Sequence, residues 1–265
     1  MSVWQAIILG VVQGVTEFLP VSSSGHLVIF PELFDWPLQD VAFDAAIHLA
    51  TLLAMVIYFR DDLVKIVRGM LGSGHNSYKR LGYDILIASI PVAVVGYLFG
   101  GEISALTRHP EVVLGSLLLW GVVLILADAY RDRNELPIRK VIHIGWKRAF
   151  GIGCAQVLAL IPGTSRSGIT ISAGLFAGLG RHTAARFAFL LGMPAIALAS
   201  GKAFLDIFSG EVLVSAGPLL IGFLAAFLSG LVAIDILLHL LGRFTYKAYG
   251  VYRVVLALAL FFAIL

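Results

Sequence analysis

The sequence predicts an all-α polytopic membrane protein with about six transmembrane helices and two re-entrant or broken helix hairpins in an inverted-topology repeat. Three observations carry this. Of 265 residues, 59% are hydrophobic and only 13% charged, about half the charge of an ordinary soluble domain, so a water-soluble globule is excluded. Apolar windows long enough to span a bilayer core of ~30 Å recur along the chain. Two further apolar stretches each break at a proline followed by a Ser/Gly-rich run, and the two breaks are related in sequence.

The whole chain, 1–265, is read as a single integral membrane domain. Its 28 Gly and 9 Pro suit membrane helices, which tolerate both better than soluble helices do. Residues 6–12 are apolar enough to imitate a signal core, yet a signal needs a cationic start. The first Lys or Arg is Arg60, and the run leads into Gln13, Thr16 and Glu17, so this segment is expected to stay in the mature protein. The net charge is only +3, with the cations in short connections. They read as topology signals, and no nucleic-acid partner is expected. The single cysteine, Cys154, excludes a disulfide framework and a multi-cysteine metal site.

In chain order, a broken helix at 3–19 precedes crossings at 41–59, 84–101 and 111–130. A second broken helix at 149–161 precedes crossings at 186–206, 212–232 and 249–265. The connection 60–83 carries Arg60, Lys65, Arg68, Lys79 and Arg80, and 131–148 carries Arg131, Arg133, Arg139, Lys140, Lys147 and Arg148, against Arg108 alone in 102–110. By the positive-inside rule the first two are cytoplasmic. Positions near Gly72 and Asn134 are therefore expected inside, and those near Asp35, Arg108 and Gly210 outside. The first hairpin is entered from the outer face, the second from the inner.

At an offset of 143 residues, Ala6, Gly10, Gln13, Ser22, Ser24 and Gly25 meet Ala149, Gly153, Gln156, Ser165, Ser167 and Gly168. Three crossings separate the copies, and an odd number inverts the second. The repeats, about 1–130 and 149–265, are then of the kind in which discontinuous helices from opposite faces meet near the midplane.

The first break reads QGVTEFLPVSSSGHL from Gln13 to Leu27. Gln13 and Glu17 share one helical face, and Ser22, Ser23, Ser24, Gly25 and His26 follow Pro20. An intramembrane carboxylate costs about 2.5–3.5 kcal/mol on insertion scales and is paired or functional. An interhelical polar clamp would account for Glu17 alone, less well for Glu17 with His26 and three hydroxyls. The second break reads IPGTSRSGIT from Ile161 to Thr170. Pro162 and Gly163 end one helix and Ser165 or Ser167 can cap the next, so free amides and a positive dipole end make an anion site. Arg166 adds a planar cationic fork suited to phosphate oxygens; that it only neutralises Glu17 stays open. His48, one turn beyond Asp44, reads as a satisfied polar pair. Asp128, Asp235, His143, His239 and the tryptophans read as interfacial, and Pro91 as a packing kink.

The pair Q-x-x-x-E with F-L-P-V-S-S-S-G-H, and later P-G-T-S-R-S-G, resembles the undecaprenyl pyrophosphate phosphatase family, the bacitracin-resistance proteins of bacterial inner membranes. The likeness spans nearly the whole chain, including FDAAIHLATLLA and the basic loop after it. The leading motif residue, Glu or Gln in the family, is Gln13 here, leaving Glu17 the motif's only carboxylate. Ile169 stands where the family often has Ala.

The resemblance implies hydrolysis of undecaprenyl pyrophosphate to the monophosphate and inorganic phosphate, which recycles the lipid carrier of cell-wall peptidoglycan synthesis. It also implies a metal-dependent site opening toward the periplasmic side of the inner (plasma) membrane. On this reading Arg166, with the backbone around Gly163, Thr164, Ser165, Ser167 and Gly168, holds the terminal phosphate, and Ser22 and Ser24 assist. Glu17, with Gln13, holds a divalent cation, Mg²⁺ or Ca²⁺, both of which prefer oxygen ligands. Ser23 is the first choice of nucleophile with His26 as general base or acid, and direct attack by water stays open, as does pairing of two copies in a homodimer. The rival from another class is a secondary transporter or a lipid flippase or scramblase, since broken helices in inverted repeats are also a transporter signature. A carrier would use Arg166 and the helix ends but has no need of Ser23, His26 and Glu17 together.

Overall fold

The computed structural model describes residues 1–106, 110–133, 137–208, 216–241 and 245–264. Arg108, Asn134 and Gly210, three of the positions expected in loops, lie outside the described residues. The regular structure of the described residues is α-helical, apart from two 3₁₀ turns and one isolated parallel bridge between Ile138 and Leu179. The first half of the chain comprises α1 (Val3–Phe18), α2 (Ser23–Leu33), α3 (Val41–Tyr58), α4 (Arg60–Met70), α5 (Asn76–Leu106) and α6 (Pro110–Asp132). The second comprises α7 (Trp146–Gln156), α8 (Arg166–Phe176), α9 (Arg181–Phe208), α10 (Ala216–Leu240) and α11 (Lys247–Ile264).

Five described helices are long and apolar enough to cross a membrane: Val41–Tyr58, Asn76–Gly101, Glu111–Asp132, Arg181–Gly201 and Ala216–Leu240. The protein is thus an all-α polytopic membrane protein. The sixth expected crossing corresponds to α11. Helix ends differ from the hydropathy windows: α5 starts at Asn76 rather than 84, and α9 at Arg181 rather than 186. Charged turns containing Lys79, Arg80 or Arg181 lower the apolar score without stopping the helix. The connection after α3 also holds a helix of its own, α4, which buries Ile66 and Gly69 while Arg60, Asp61, Lys65 and Arg68 stay exposed. Asp62 of α4 pairs with Arg186 of α9, and the Arg186 guanidinium lies 5.4 Å from the Phe59 ring centre.

α9 is the most enclosed candidate span, with 61% of its apolar window buried, and it forms the middle of the main core. Phe187, Phe189 and Leu191 of α9 pack with Phe18, Met55 and Phe59. A second cluster joins α1, α3 and α10 through Leu9, Ile47 and Ala226, and a third joins α2, α6 and α11 through Ile29, Leu117 and Leu260. Asp128, read from sequence as interfacial, is instead fully buried. It accepts from Arg181 Nε at 2.5 Å, while Asp132 takes Arg181 Nη2 at 2.6 Å and Lys247 Nζ at 3.2 Å. These pairs tie together the end of α6 and the starts of α9 and α11.

The chain breaks where the prolines predict, α1 ending at Phe18 before Pro20 and α7 at Gln156 before Pro162, with a 3₁₀ turn over Val157–Leu160 between. Gly10 and Gly153 mark close approaches of one helix backbone to another. A Cβ on Gly10 would lie 2.4 Å from Gly222 O in α10, and one on Gly153 would lie 2.1 Å from Ala88 O in α5. Small residues let membrane helices approach this closely and gain dispersion contacts that lipid does not offer. Gly153→Ala should therefore destabilise the fold by about 1–3 kcal/mol, read as a lower melting temperature in detergent. Gly151→Ala, whose Cβ would meet nothing within 4 Å, should leave it unchanged. Equal melting of the two variants would contradict the α5–α7 crossing.

Candidate active site

The two breaks have the same local build. Ser22 caps α2 at φ 76° and Ser165 caps α8 at φ 70°, a left-handed conformation that costs a residue with a Cβ on the order of 1–3 kcal/mol. Each cap hydroxyl accepts from the amide three residues on, Gly25 at 3.3 Å and Gly168 at 3.1 Å. Each lies close to the second repeat serine, Ser24 at 3.3 Å and Ser167 at 3.2 Å. His26 and Ile169 amides donate to the cap carbonyls. Among the described residues, the amides of Ser23 and Ser24 in one helix N-terminus, and of Arg166 and Ser167 in the other, make no backbone hydrogen bond. Thr164 departs from the expectation: its amide closes a turn onto Ile161 O at 3.2 Å, around Gly163 at φ 81°. The Thr164 and Gly168 amides are therefore already engaged, and those of Arg166 and Ser167 lie between them.

The breaks touch. Ser167 Oγ donates to Leu19 O at 3.2 Å, and the Arg253 guanidinium of α11 lies between them. Arg253 Nη1 donates to Pro20 O at 3.4 Å; Nη2 reaches Gly163 O at 3.0 Å, Thr164 O at 2.9 Å and Ser116 O at 3.3 Å. Arg253 is fully buried. The sequence expectation omits it, although a cation inside the apolar run of the last helix is by itself a functional signal.

Glu17 and Arg166, one from each repeat, meet at this junction. Arg166 Nη2 donates to Glu17 Oε1 at 3.0 Å, and its Nη1 to Ala188 O at 3.1 Å. Gly192 of α9 makes the space, since a Cβ there would fall 1.5 Å from Nη1. The other carboxylate oxygen of Glu17 accepts from Ser23 Oγ at 2.7 Å and Gln13 Nε2 at 3.1 Å. His48 Nε2 stands 3.8 Å from it. So Arg166 does pair with Glu17, and the same carboxylate holds the Ser23 hydroxyl.

A cavity of about 200 Å³ opens at this pair. Glu17, Ser23, Ser24, His48, Gln156, Ser165 and Arg166 form its polar lining, and Val92, Leu160 and Ile196 belong to an apolar wall. Of the other residues expected in the site, Ser22, Gly163, Thr164, Ser167 and Gly168 shape the breaks without lining the cavity. Gln13 is fully buried beside Glu17 with its Oε1 unpartnered. His26 is also set apart. Its Nδ1 lies 2.6 Å from Ser22 O and its Nε2 2.8 Å from Tyr252 OH, with the two rings stacked. The group that meets the Ser23 hydroxyl is Glu17, not His26.

His48 is more than a satisfied pair. Its Nδ1 takes Asp44 O at 2.7 Å, which leaves Nε2 facing the cavity. The available signal was its place on α3 between Ala45 and Thr51, small residues on the inward face.

The Bacitracin resistance protein BacA family matches residues 6–259. Undecaprenyl-diphosphatase 2 of Stutzerimonas stutzeri is 42% identical over 264 residues, covering 98% of this chain and 97% of that protein. The undecaprenyl-diphosphatase of Marinobacter nauticus is 40% identical over 261 residues, 97% of each chain. That of Teredinibacter turnerae is 39% identical over 268 residues and spans both chains completely. The family pattern covers both breaks and every residue of the cavity lining, and this chain belongs to the bacitracin resistance protein BacA family.

Proposed function

We propose that this protein is an undecaprenyl diphosphate phosphatase, which hydrolyses undecaprenyl diphosphate to undecaprenyl phosphate and inorganic phosphate. It thereby returns the carrier to peptidoglycan synthesis and confers bacitracin resistance. The observation that carries the chemistry is the contact chain Ser23, Glu17, Arg166 at the meeting of two helix N-termini. A carrier needs the anion cradle but not a hydroxyl held 2.7 Å from a carboxylate.

The terminal phosphate binds at the α8 N-terminus. It is held by the amide of Arg166, a cavity-lining residue, and by the Arg166 Nε–H, a buried donor without a partner among the described residues. These donors are fixed before the substrate arrives, so they stabilise the charge of the transition state without reorganising. Ser23 Oγ attacks the terminal phosphorus and passes its proton to Glu17 Oε2. The bond from phosphorus to the bridging oxygen breaks, and undecaprenyl phosphate leaves with that oxygen and its electron pair. Water then cleaves the phosphoserine, releasing inorganic phosphate and restoring the hydroxyl. His26 positions this segment by bracing Ser22 against Tyr252.

A divalent cation fits the donor set in one form. Among the described residues no three His, Cys, Asp or Glu cluster to make a protein cage. Glu17 and Gln13, whose unpartnered Oε1 lies beside it, would be the residues to hold a Mg²⁺, which prefers oxygen ligands. Ca²⁺, which takes 6–8 oxygen ligands, fits less well. Such an ion would offset the negative charge of the diphosphate.

Purified protein in detergent should release phosphate from a prenyl diphosphate and lose that activity with chelator. Glu17→Gln and Arg166→Ala should each lower turnover by on the order of 10²–10⁴, and Arg166→Lys should restore little, because an ammonium is not a planar fork. Phosphate release near the wild-type rate from either variant would dismiss the site.

Ser23→Ala should abolish turnover, and rapid quenching of the wild type with labelled substrate should trap a phosphoenzyme. Substantial residual activity in Ser23→Ala would give the attack to a water held by Glu17.

The exposed cations of α4 and those around Arg139 and Lys147 are assigned to the cytoplasm of a bacterial inner membrane, and the cavity to the outer side. In a Cys154→Ala background, Asp35→Cys should react with a membrane-impermeant maleimide on intact cells, and Gly72→Cys should not. The reverse pattern would turn the site toward the cytoplasm.

A further inference from the structure

We infer that Gln156 binds the phosphate that stays esterified to the prenyl chain, and so recognises the lipid end of the diphosphate. The inference rests on the phosphatase reading for the substrate but on the cavity alone for the contact. Gln156 ends α7, is fully buried and lines the cavity. Neither its Nε2 nor its Oε1 has a hydrogen-bond partner.

The repeat explains why. At the offset of 143 residues Gln156 corresponds to Gln13, and Leu160 to Glu17. In the first repeat the Gln13 amide donates one turn along to Glu17. In the second, the residue one turn along is Leu160, which offers no acceptor. A buried carboxamide left unpaired costs about 1–3 kcal/mol, and a purely structural position of this kind would favour an apolar residue of the same size. A group kept at that cost, facing a cavity, has its partner in a ligand.

Its place fixes which part of the ligand. The 3₁₀ turn that follows Gln156 carries Ala159 and Leu160 into the same lining, and Val92, Ala195, Ile196 and Ala199 continue the apolar wall. Gln156 therefore leads through Ala159 and Leu160 into this apolar wall, on the segment that goes on to Ser165 and Arg166. A prenyl diphosphate fits this lining in one order: terminal phosphate at Arg166, ester phosphate at Gln156, chain along the apolar wall. The carboxamide donates to a non-bridging oxygen without adding charge, so it selects a phosphate ester without holding the product as an arginine would.

The test compares wild type with Gln156→Leu, using ligand-induced shifts of melting temperature, which need no turnover, together with inhibition of phosphate release. Gln156→Leu should fold with an unchanged or higher melting temperature, bind farnesyl phosphate roughly tenfold more weakly, the worth of one hydrogen bond, and bind inorganic phosphate as the wild type does. KM for farnesyl diphosphate should rise by the same factor, with kcat changing less. Gln156→Glu, which keeps size and hydrogen bonding but repels an anion, should weaken farnesyl phosphate at least as much and keeps the test open should the leucine variant not fold. Unchanged binding of farnesyl phosphate, or equal weakening of inorganic phosphate, would overturn the assignment. A wild type that binds farnesyl phosphate but releases no phosphate from the diphosphate would remove the phosphatase reading and leave the Gln156 contact standing or falling on the binding data.

Discussion

Backbone that leaves the helix inside a bilayer has no water to satisfy it, and each open carbonyl or amide there costs several kcal/mol. Both breaks in this protein face that constraint, and Arg253 answers it for the carbonyls. One guanidinium from α11 serves Pro20 in the first break and Gly163 and Thr164 in the second, so neither break can hold its shape independently of the other. The amides are treated differently. Those of Gly25 and Gly168 are capped within their own turns, while the first two of each short helix have no backbone partner among the described residues. The candidate site is built around this part of the backbone.

The shared build of the breaks makes their differences informative. Ser22 and Ser165 adopt the same strained backbone, and each sets the helix that follows it. Ser23 and Arg166 then occupy matching positions in the two repeats, one a hydroxyl and one a cation, and they meet on the same carboxylate. Glu17 has no counterpart, because Leu160 stands in its place. On the proposed chemistry the hydroxyl and the carboxylate come from the first break and the guanidinium from the second. Closely packed α9 keeps them in register, since Gly192 and the Ala188 carbonyl seat the Arg166 side chain.

Much of this was legible in the sequence. Pro20 and Pro162 mark the breaks, the serines after Pro162 offer Ser165 or Ser167 as a cap without choosing between them, and the opposite charges of Glu17 and Arg166 allow their pairing. Residues whose role depends on distant elements were not legible. Arg253 acts on carbonyls of two loops remote in sequence, and nothing local to α11 names them. His48 reads as the partner of Asp44 because its neighbourhood in sequence contains Asp44, whereas Glu17 arrives by the packing of α3 against α1. His26 misled in the opposite direction: proximity in sequence to Ser23 suggested a contact, but the α2 helix turns the ring toward Ser22 O and Tyr252. Hydropathy windows gave crossings but trimmed the polar turns of α5 and α9.

Arg253 also sets the charge balance of the interior. Glu17 and Arg166 cancel, whereas Arg253 is met by carbonyl dipoles and, among the described residues, by no carboxylate. The junction therefore carries, in a low-dielectric core, one positive charge that no described carboxylate offsets. Occupancy and folding are then thermodynamically linked: an anion present at a hundred times its dissociation constant adds about 2.7 kcal/mol to the stability of the folded state. A membrane rich in such an anionic ligand would hold this protein more firmly folded than one depleted of it.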